Sequence, residues 1–265
     1  MEDFSKYNKE GSALRSIQLR ILDILIIIDK ICRDNGIDYW LDYGTLLGAV
    51  RHSGFIPWDD DVDIAVRYED KDTLKTTLMK ELPDDLFYQD SETDAQHCWT
   101  FAKVRDSKTK VLEEKEMEDY DKPHGVFVDI FPHEKCFSPR LKKIIDVLYG
   151  RCYRARRHHL AYTKSDIFIA HLLWPFAWTL VKVYRYISNL VNAKKRMQIF
   201  GSFARLYSFR EEDVFPLCEV TFEGHKFFAP KDYDKYLSSI YGDYMKIPEE
   251  KDRNIHMVKV EYLNK

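Results

Sequence analysis

Four carboxylates fall within the five positions of one short segment, residues 59–63. The apolar residues that follow, up to Val66, are typical of a β-strand, in which alternate side chains share a face. This alternation predicts that Asp61 and Asp63 point to one side while Asp60 points to the other. Two carboxylates about 6–7 Å apart along a strand repel each other by ~2–3 kcal/mol at an effective dielectric constant of about 20. We therefore expect a cation between Asp61 and Asp63.

A third carboxylate lies in another predicted strand. Asp129 sits within the apolar run 125–131, where a lone acid is costly unless it is paired or binds a metal. One alternative is an ion pair with a nearby basic residue such as Arg105. Together with Asp61 and Asp63, Asp129 would form a three-carboxylate platform for Mg²⁺ or Mn²⁺. Two such ions can clamp the attacking and leaving oxygens of a phosphoryl transfer.

A glycine turn about sixteen residues before Asp61 adds a candidate phosphate site. Gly44 allows a ligand to approach the backbone closely, and the start of the following helix favours anions. The hydroxyl of Thr45 is available to donate to a phosphate oxygen, although a Gly-Thr turn is often just a helix cap. Four basic residues near these motifs could neutralise a diphosphate, although each could equally be an ordinary surface cation. They are Arg51, His52, Lys103 and Arg105.

The surrounding pattern predicts an α/β fold with a mixed sheet and flanking helices. Ser12 is expected to cap a long amphipathic helix that ends near Asn35, with Gly36 after it. Further helices are expected at 44–50, 68–82, over most of 140–196 and at 232–241, and strands at 38–42, 86–89, 99–104, 126–131, 215–222 and 226–229.

Composition limits the class of protein. The chain has 265 residues, of which 45% are hydrophobic and 14% aromatic, as expected of a folded globular protein. Its net charge of −3 is too small for a general nucleic-acid binder. Five scattered cysteines without a CxxC pair, and no signal-peptide pattern at the N-terminus, predict a cytoplasmic protein with reduced thiols.

Positive charge is concentrated in residues 139–196. This segment holds thirteen Lys or Arg and two Asp or Glu residues, a net charge of +11. It also holds the most apolar run, 167–181, which is short for a transmembrane helix of about 20 residues and contains Pro175. Two interpretations stay open: contact with an anionic membrane surface, or a helical pair packed on the main domain.

Other site types do not match. An EF-hand loop starting at Asp59 would place Ile64 where glycine is required and Asp70 where the bidentate glutamate belongs. The sequence contains no GxxxxGK[ST], GxGxxG, GxSxG or HExxH motif. The spacing of His124, His133 and Cys136 fits no standard zinc pattern.

The 26 residues from Tyr39 to Ile64 resemble the signature of the LicD family. That family includes bacterial phosphocholine transferases of surface glycans, and fukutin-related transferases resemble it. The likeness extends over about residues 15–256, although 139–200 is unspecific. Further segments that fit the family are 103–109, 125–132, 241–245, 248–251 and His256.

The resemblance implies a nucleotidyltransferase-like fold and a CDP-activated donor. It matches Asp61, Asp63 and Asp129 to a metal-binding acidic triad, and Gly44 and Thr45 to a phosphate-binding turn. The implied reaction is attack by a sugar hydroxyl of a cell-surface glycan on phosphocholine of CDP-choline, releasing CMP, with Asp129 assisting deprotonation. Lipopolysaccharide, teichoic acid and capsule are the candidate acceptors, and a lipid-linked glycan is among them.

Three alternatives stay open at this point. The donor could be another CDP-alcohol, such as CDP-ribitol, CDP-glycerol or CDP-ethanolamine. The acidic cluster could instead hold a structural cation in a non-catalytic binding module. The third alternative is transfer of a nucleotide to a polynucleotide, which uses the same kind of fold. For the enzyme interpretation we expect a catalytic core at 1–138, a helical insertion at 139–200 that contacts the acceptor or the membrane, and a closing segment at 201–265.

Overall fold

The computed structural model describes residues 4, 6–95, 97–112, 125–157, 162–202, 207–253 and 259–262. Helices in these ranges are α1 (Ala13–Asp34), α2 (Tyr43–His52), α3 (Lys71–Glu81), α4 (Pro139–Arg157), α5 (Lys164–Leu190), α6 (Glu211–Val214) and α7 (Tyr233–Tyr241), with 3₁₀ turns at Tyr68–Asp70 and Glu250–Asp252. The strands are β1 (Tyr39–Leu41), β2 (Asp63–Arg67), β3 (Leu86–Gln89), β4 (Ala102–Asp106), β5 (Thr109–Leu112), β6 (Phe127–Cys136), β7 (Lys195–Gln198), β8 (Phe209–Arg210), β9 (Cys218–Phe222), β10 (His225–Ala229) and β11 (Lys259–Tyr262).

Seven of these strands form one mixed sheet. Its main path runs β1-β2-β6-β4-β3, and β7 and β8 extend it from the far end of β6. β2 and β6 are parallel, whereas the other neighbours pair antiparallel. β9 with β10, and β5 with β11, form separate two-stranded ladders. The predicted α/β class with a mixed sheet and flanking helices is confirmed.

The pleat of the sheet separates an apolar side from an acidic side. Val62, Ile64 and Val66 are fully buried and belong to one core cluster with Ile21 and Ile24 of α1. Each such side chain contributes roughly 1.5–3 kcal/mol when fully buried. Because successive strand residues face opposite ways, Asp63, which lies between Val62 and Ile64, projects from the other face of the sheet.

The first helix begins and ends where the sequence predicts. The side-chain oxygen of Ser12 accepts a hydrogen bond from the backbone N–H of Arg15 at 3.2 Å, which caps the helix start. Asn35 is the C-cap residue, and Gly36 follows with φ of 64°, a left-handed conformation that glycine adopts without strain. The two caps therefore define where α1 begins and ends.

Two long helices, α4 and α5, are inserted between β6 and β7. Glu134 of β6 binds this pair through Lys142 of α4 and, at 2.6 Å, through Arg185 of α5. The segment is mostly helical, as predicted, but its last residues form β7, which belongs to the main sheet. The division of the chain into three units at 138 and 200 stays a prediction.

α5 is longer than the apolar run suggested. With 27 residues it is long and apolar enough to cross a membrane by length and composition alone, a property shared by core helices of soluble proteins. The expectation that this segment is too short for a membrane span is therefore wrong on length. How the helix packs against its neighbours decides between the remaining interpretations.

Candidate functional site

The start of α2 is organised around Asp42, a fully buried residue that caps the helix. One carboxylate oxygen accepts from the backbone N–H of Tyr43 at 2.9 Å and from the hydroxyl of Tyr236 at 2.7 Å. The other oxygen accepts from Nε2 of His133 at 3.0 Å. Burial and the neighbouring Asp42 raise the pKa of Tyr236, so its phenol keeps the proton that it donates. Asp42 thus ties β1, α2, β6 and α7 together.

Gly44 and Thr45 lie in the first turn of α2, as predicted. The hydroxyl oxygen of Thr45 accepts from the backbone N–H of Asp63 at 2.8 Å, which leaves its own proton available for another acceptor. A Cβ atom added to Gly44 would lie 2.8 Å from a carboxylate oxygen of Asp59. The first turn of α2 is therefore in direct contact with the acidic segment.

Two glycines of α2 predict a contrast in stability. Alanine at Gly48 would place its Cβ 2.5 Å from the backbone oxygen of Gly54, which cannot move away, so Gly48→Ala is expected to cost about 1–3 kcal/mol. Gly44→Ala meets the end of the Asp59 side chain, which can rotate, and should cost well under half as much. Urea unfolding of both variants measures the difference. Equal destabilisation would mean that the Asp59 side chain is held in place and cannot rotate away.

The acidic run is a loop that leads into β2. Because β2 begins at Asp63, strand alternation does not extend back over Asp59, Asp60 and Asp61. One carboxylate oxygen of each of these three residues lies within 4.8 Å of the others. The prediction that Asp60 points away from its neighbours is therefore wrong. The loop gathers acids that a regular strand would separate.

Asp63 and Asp129 lie side by side on the parallel strands β2 and β6, in direct register. The backbone N–H of Asp129 donates to the carbonyl of Val62 at 2.8 Å. On the opposite side of β6, Asp129 pairs in register with Lys103 of β4, and the Lys103 ammonium is 2.7 Å from its carboxylate. The sheet thus brings two of the predicted metal ligands and one predicted phosphate ligand together.

Asp129 does form an ion pair, but its partner is Lys103 rather than Arg105. Arg105 lies two residues further along β4, opposite Phe127. Its guanidinium donates to the side chain of Gln89 and, at 3.1 Å, to the carbonyl of Gly125. In this position Arg105 braces strands β3 and β4. Its predicted role in binding phosphate stays a prediction.

Burial and the close approach of other acidic side chains raise the pKa of Asp63 and of Asp59 at this centre. Burial raises the pKa of Asp63, and the charges of Asp61, Asp129 and Asp42 raise it further. Burial, followed by Asp61 and Asp60, likewise raises the pKa of Asp59. Carboxylate oxygens are the ligands that a hard divalent cation such as Mg²⁺ or Mn²⁺ prefers. Asp59, Asp60 and Asp61 place carboxylate oxygens close enough together to share such an ion, and the assignment of the ion to Asp61, Asp63 and Asp129 stays a prediction.

Comparison with known proteins bears on this arrangement. Residues 36–145 match the family described as LicD/FKTN/FKRP, nucleotidyltransferase domain. The chain carries a LicD-family domain. Over 274 aligned residues it is 28% identical to the lipopolysaccharide cholinephosphotransferase LicD of Haemophilus influenzae, covering 94% of this chain and 98% of that protein. The resemblance to the LicD family is confirmed.

Shorter likenesses extend the comparison. The ribitol 5-phosphate transferase FKRP of Homo sapiens is 57% identical over 35 residues, which are 13% of this chain and 7% of FKRP. An uncharacterized protein of Rickettsia prowazekii is 42% identical over 77 residues, covering 29% of this chain and 27% of that protein. The LicD-family match runs from β1 through all of β6 to the start of α4, and so includes the elements that carry the acidic centre.

Two predicted phosphate ligands of the LicD-family domain are engaged elsewhere. Arg51 donates to the carbonyl of Tyr244 at 2.8 Å and to Nε2 of His52 at 3.0 Å. Burial lowers the pKa of Arg51, and burial together with Arg51 lowers the pKa of His52 to about 4. His52 is therefore neutral at pH 7 and has no positive charge to offer a phosphate. Arg51 thus fastens the segment after α7 onto the end of α2, and His52 accepts a hydrogen bond from Arg51.

Aromatic side chains border the acidic centre of the LicD-family domain. Phe131 follows Asp129 by two residues on the same face of β6 and contacts Tyr43, with ring centroids 5.6 Å apart, and Phe101, at 4.5 Å. Tyr43 also contacts Tyr207 at 5.3 Å. This apolar border lowers the exposure of the neighbouring carboxylates to water, which strengthens electrostatic interactions at the centre.

Proposed function

We propose that this protein transfers phosphocholine from CDP-choline to a sugar hydroxyl of a cell-surface glycan and releases CMP. The relatives with assigned activities are phosphotransferases by name, and one of them matches nearly the whole chain. The observation that carries the proposal is the register of Asp63 with Asp129. It joins two carboxylates beside the Gly44-Thr45 turn, which is the arrangement that a diphosphate with a divalent cation requires.

Each group has a defined task in this reaction. The acceptor hydroxyl oxygen attacks the phosphorus that bears choline, the bond from that phosphorus to the bridging oxygen breaks, and CMP leaves. Asp129 takes the hydroxyl proton, while the ammonium of Lys103 beside it is placed to bind a phosphate oxygen. The free proton of the Thr45 hydroxyl is placed to donate to another phosphate oxygen. Bound Mg²⁺ or Mn²⁺, held by Asp61, Asp63 and Asp129, would supply further charge neutralisation.

Purified protein is expected to release CMP from CDP-choline when Mg²⁺ and a glycan acceptor are present. Chelation by EDTA should stop the release, and added Mg²⁺ or Mn²⁺ should restore it, because the carboxylates need a cation to accept the donor diphosphate. Chromatographic measurement of CMP checks both steps. Thermal stabilisation by Mg²⁺ without CMP release from any CDP-alcohol would instead support a non-catalytic, metal-stabilised binding module.

CDP-ribitol is the second candidate donor, because the segment shared with FKRP belongs to a ribitol 5-phosphate transferase. A panel of CDP-choline, CDP-ribitol, CDP-glycerol and CDP-ethanolamine separates the donors by relative kcat/KM. The longer relationship is to a cholinephosphotransferase, so CDP-choline is expected to give the highest value. A higher value with CDP-ribitol would reassign the donor but leave the reaction class unchanged.

We further propose that the enzyme acts in the cytoplasm, at the inner surface of the membrane, on a lipid-linked glycan. All five cysteines are free thiols, which supports a reducing compartment. Among candidate acceptors, lipopolysaccharide is favoured over teichoic acid and capsule because it appears in the name of the long relative. Nucleic acid is not expected as a partner.

A further inference from the structure

Helix α5 exposes an apolar side along most of its length. Its buried side packs through small and apolar residues, among them Ala170, Ala177 and Val181. The opposite side is apolar as well. Its large side chains, exposed by 49–70%, are Phe168, Leu172, Phe176, Val183, Tyr186 and Leu190.

These six residues, which we term the α5 stripe, share one side of the helix because they recur at intervals of three, four or seven positions. From Phe168 to Leu190 the stripe is roughly 33 Å long at 1.5 Å per residue. Helices on the surface of soluble monomers carry charged residues on this side. In the segment 167–190 the charged residues are Lys182 and Arg185, and Arg185 is bound to Glu134. An apolar surface of this length marks an interaction site.

The neighbouring helix adds positive charge. Leu141, Ile144 and Val147 of α4 are 41%, 69% and 50% exposed, and exposed basic residues alternate with them. The two acids of the sequence 139–190 are occupied: Asp146 accepts from the backbone N–H of Gly201 at 2.6 Å, and Asp166 forms the capping box of α5. The exposed basic residues of α4 are Arg140, Lys143 and Arg151.

This combination selects an anionic lipid surface as the partner. Exposed apolar side chains on one helix, together with exposed Arg and Lys on its neighbour, suit the boundary between acyl chains and anionic headgroups. A second copy of this chain would bring one basic α4 against another, and like charges across an interface oppose association. The hydrocarbon boundary accommodates the stripe, and the headgroups neutralise the basic residues.

The packing of α5 places it in the plane of the membrane rather than across it. Ala170 and Ala177 pack on Cys152 and Ala155 of α4, and the hydroxyl of Tyr184 donates to the carbonyl of Ser138 at 2.9 Å. A spanning α5 would therefore draw α4 into hydrocarbon, and α4 carries seven Lys or Arg residues. Each charge at the bilayer centre costs at least ~2.5 kcal/mol.

We propose that the α5 stripe docks parallel to an anionic bilayer, with Arg140, Lys143 and Arg151 binding lipid phosphates. The inference builds on the proposed location of the enzyme and adds the surface and the lipid chemistry. α4 is also joined to the loop before β4, the strand that carries Lys103, because the hydroxyl of Tyr153 donates to the carbonyl of Trp99 at 3.0 Å. Docking would therefore hold the site next to a lipid-linked acceptor.

Flotation of the full chain with vesicles tests this surface. The protein is expected to bind vesicles that contain phosphatidylglycerol, to bind phosphatidylcholine vesicles weakly, and to be released by salt. Phe168→Gln, Leu172→Gln and Phe176→Gln combined should reduce the partition coefficient at least about tenfold. Arg140→Gln, Lys143→Gln and Arg151→Gln combined should reduce binding to the anionic vesicles by a similar factor.

Met79→Gln with Met245→Gln is the matched control, since both side chains are exposed, by 57% and 56%, outside α4 and α5. It should bind like wild type. Equal vesicle binding by all variants, or no binding by wild type, would overturn the proposal. So would resistance to carbonate extraction, which indicates a spanning helix, or a wild-type dimer that the stripe variant converts to a monomer. CMP release is measured separately, so either proposal can fail alone.

Discussion

Asp63→Asn is expected to reduce phosphate transfer by about 10³-fold or more, the scale of losing several kcal/mol of metal-based charge stabilisation. Asn keeps the size of the side chain but removes the charge that would hold the cation. The loss should appear in kcat, because charge neutralisation is needed most when the bond to the leaving CMP breaks. Steady-state measurement of CMP release with saturating CDP-choline gives the value.

The same substitution should leave the metal-free protein at least as stable as wild type. Burial and the neighbouring acids raise the pKa of Asp63, so its ionised form disfavours the folded state at neutral pH. The neutral amide removes that repulsion. Lower activity combined with unchanged or higher stability distinguishes a functional acid from a structural one.

Metal-dependent unfolding separates the two effects. Mg²⁺ is expected to raise the Tm of wild type, because a ligand that binds the native state stabilises it, and to have a much smaller effect on Asp63→Asn. Asp72→Asn is the matched control, since the Asp72 carboxylate is 81% exposed and lies on α3. A substantial loss of stability in metal-free Asp63→Asn would mean that Asp63 supports the fold rather than the reaction.

Local patterns predicted the part of the site that lies within single strands. The alternation around Asp63 placed this acid opposite the apolar residues Val62 and Ile64, and the structure has it there. Asp129 was expected to be paired or to bind a metal, and it does form an ion pair. The partner of Asp129 was harder to identify. Lys103 and Arg105 are equivalent in a sequence pattern, and antiparallel register decided between them. Register depends on pairing between distant segments, which local periodicity does not encode.

Strand alternation failed where the backbone is not paired. Asp59, Asp60 and Asp61 precede β2, so their side chains follow loop geometry. Short strands such as β7 and β8 were missed for a related reason. β7 is four residues long and contains Lys195 and Arg196, which give no apolar alternation. Arg196 is nevertheless buried, because it forms ion pairs with Glu69 and Glu211 at 2.8 and 3.0 Å.

The buried hydrogen-bond network of Asp42 could not be predicted from the sequence alone. The sequence pattern predicts Asp42 as the last residue of a strand, although an Asp directly before a helix is also a typical N-cap residue. Its other partners, His133 and Tyr236, are 91 and 194 positions away. Nothing in the local pattern links them, because tertiary packing alone brings the three together. His124 and His256 lie outside the described residues, so those predictions stay untested.

Asp42→Ala is expected to destabilise the protein by about 3–5 kcal/mol, the cost of removing one member of a fully buried polar network. The change removes a helix cap worth about 1 kcal/mol and leaves two buried donors, those of His133 and Tyr236, without their acceptor. For a chain of this size the Tm should fall by roughly 6–20 °C. Asp38→Ala is the control, since the Asp38 carboxylate is 46% exposed and pairs with Arg67.

A double-mutant cycle with Tyr236→Phe tests whether this cost arises from the stranded donors. Tyr236→Phe alone should cost about 1 kcal/mol, the net value of one hydrogen bond, with the Trp40 indole, which donates to the same hydroxyl at 3.3 Å, adding to it. In the Asp42→Ala background the same change removes a donor that already lacks its acceptor, so it should cost less or even stabilise. A coupling energy of about 0.5–3 kcal/mol is expected. Strict additivity would mean that Asp42 acts through the helix cap and His133 alone, and that α7 is held to the site by its apolar contacts.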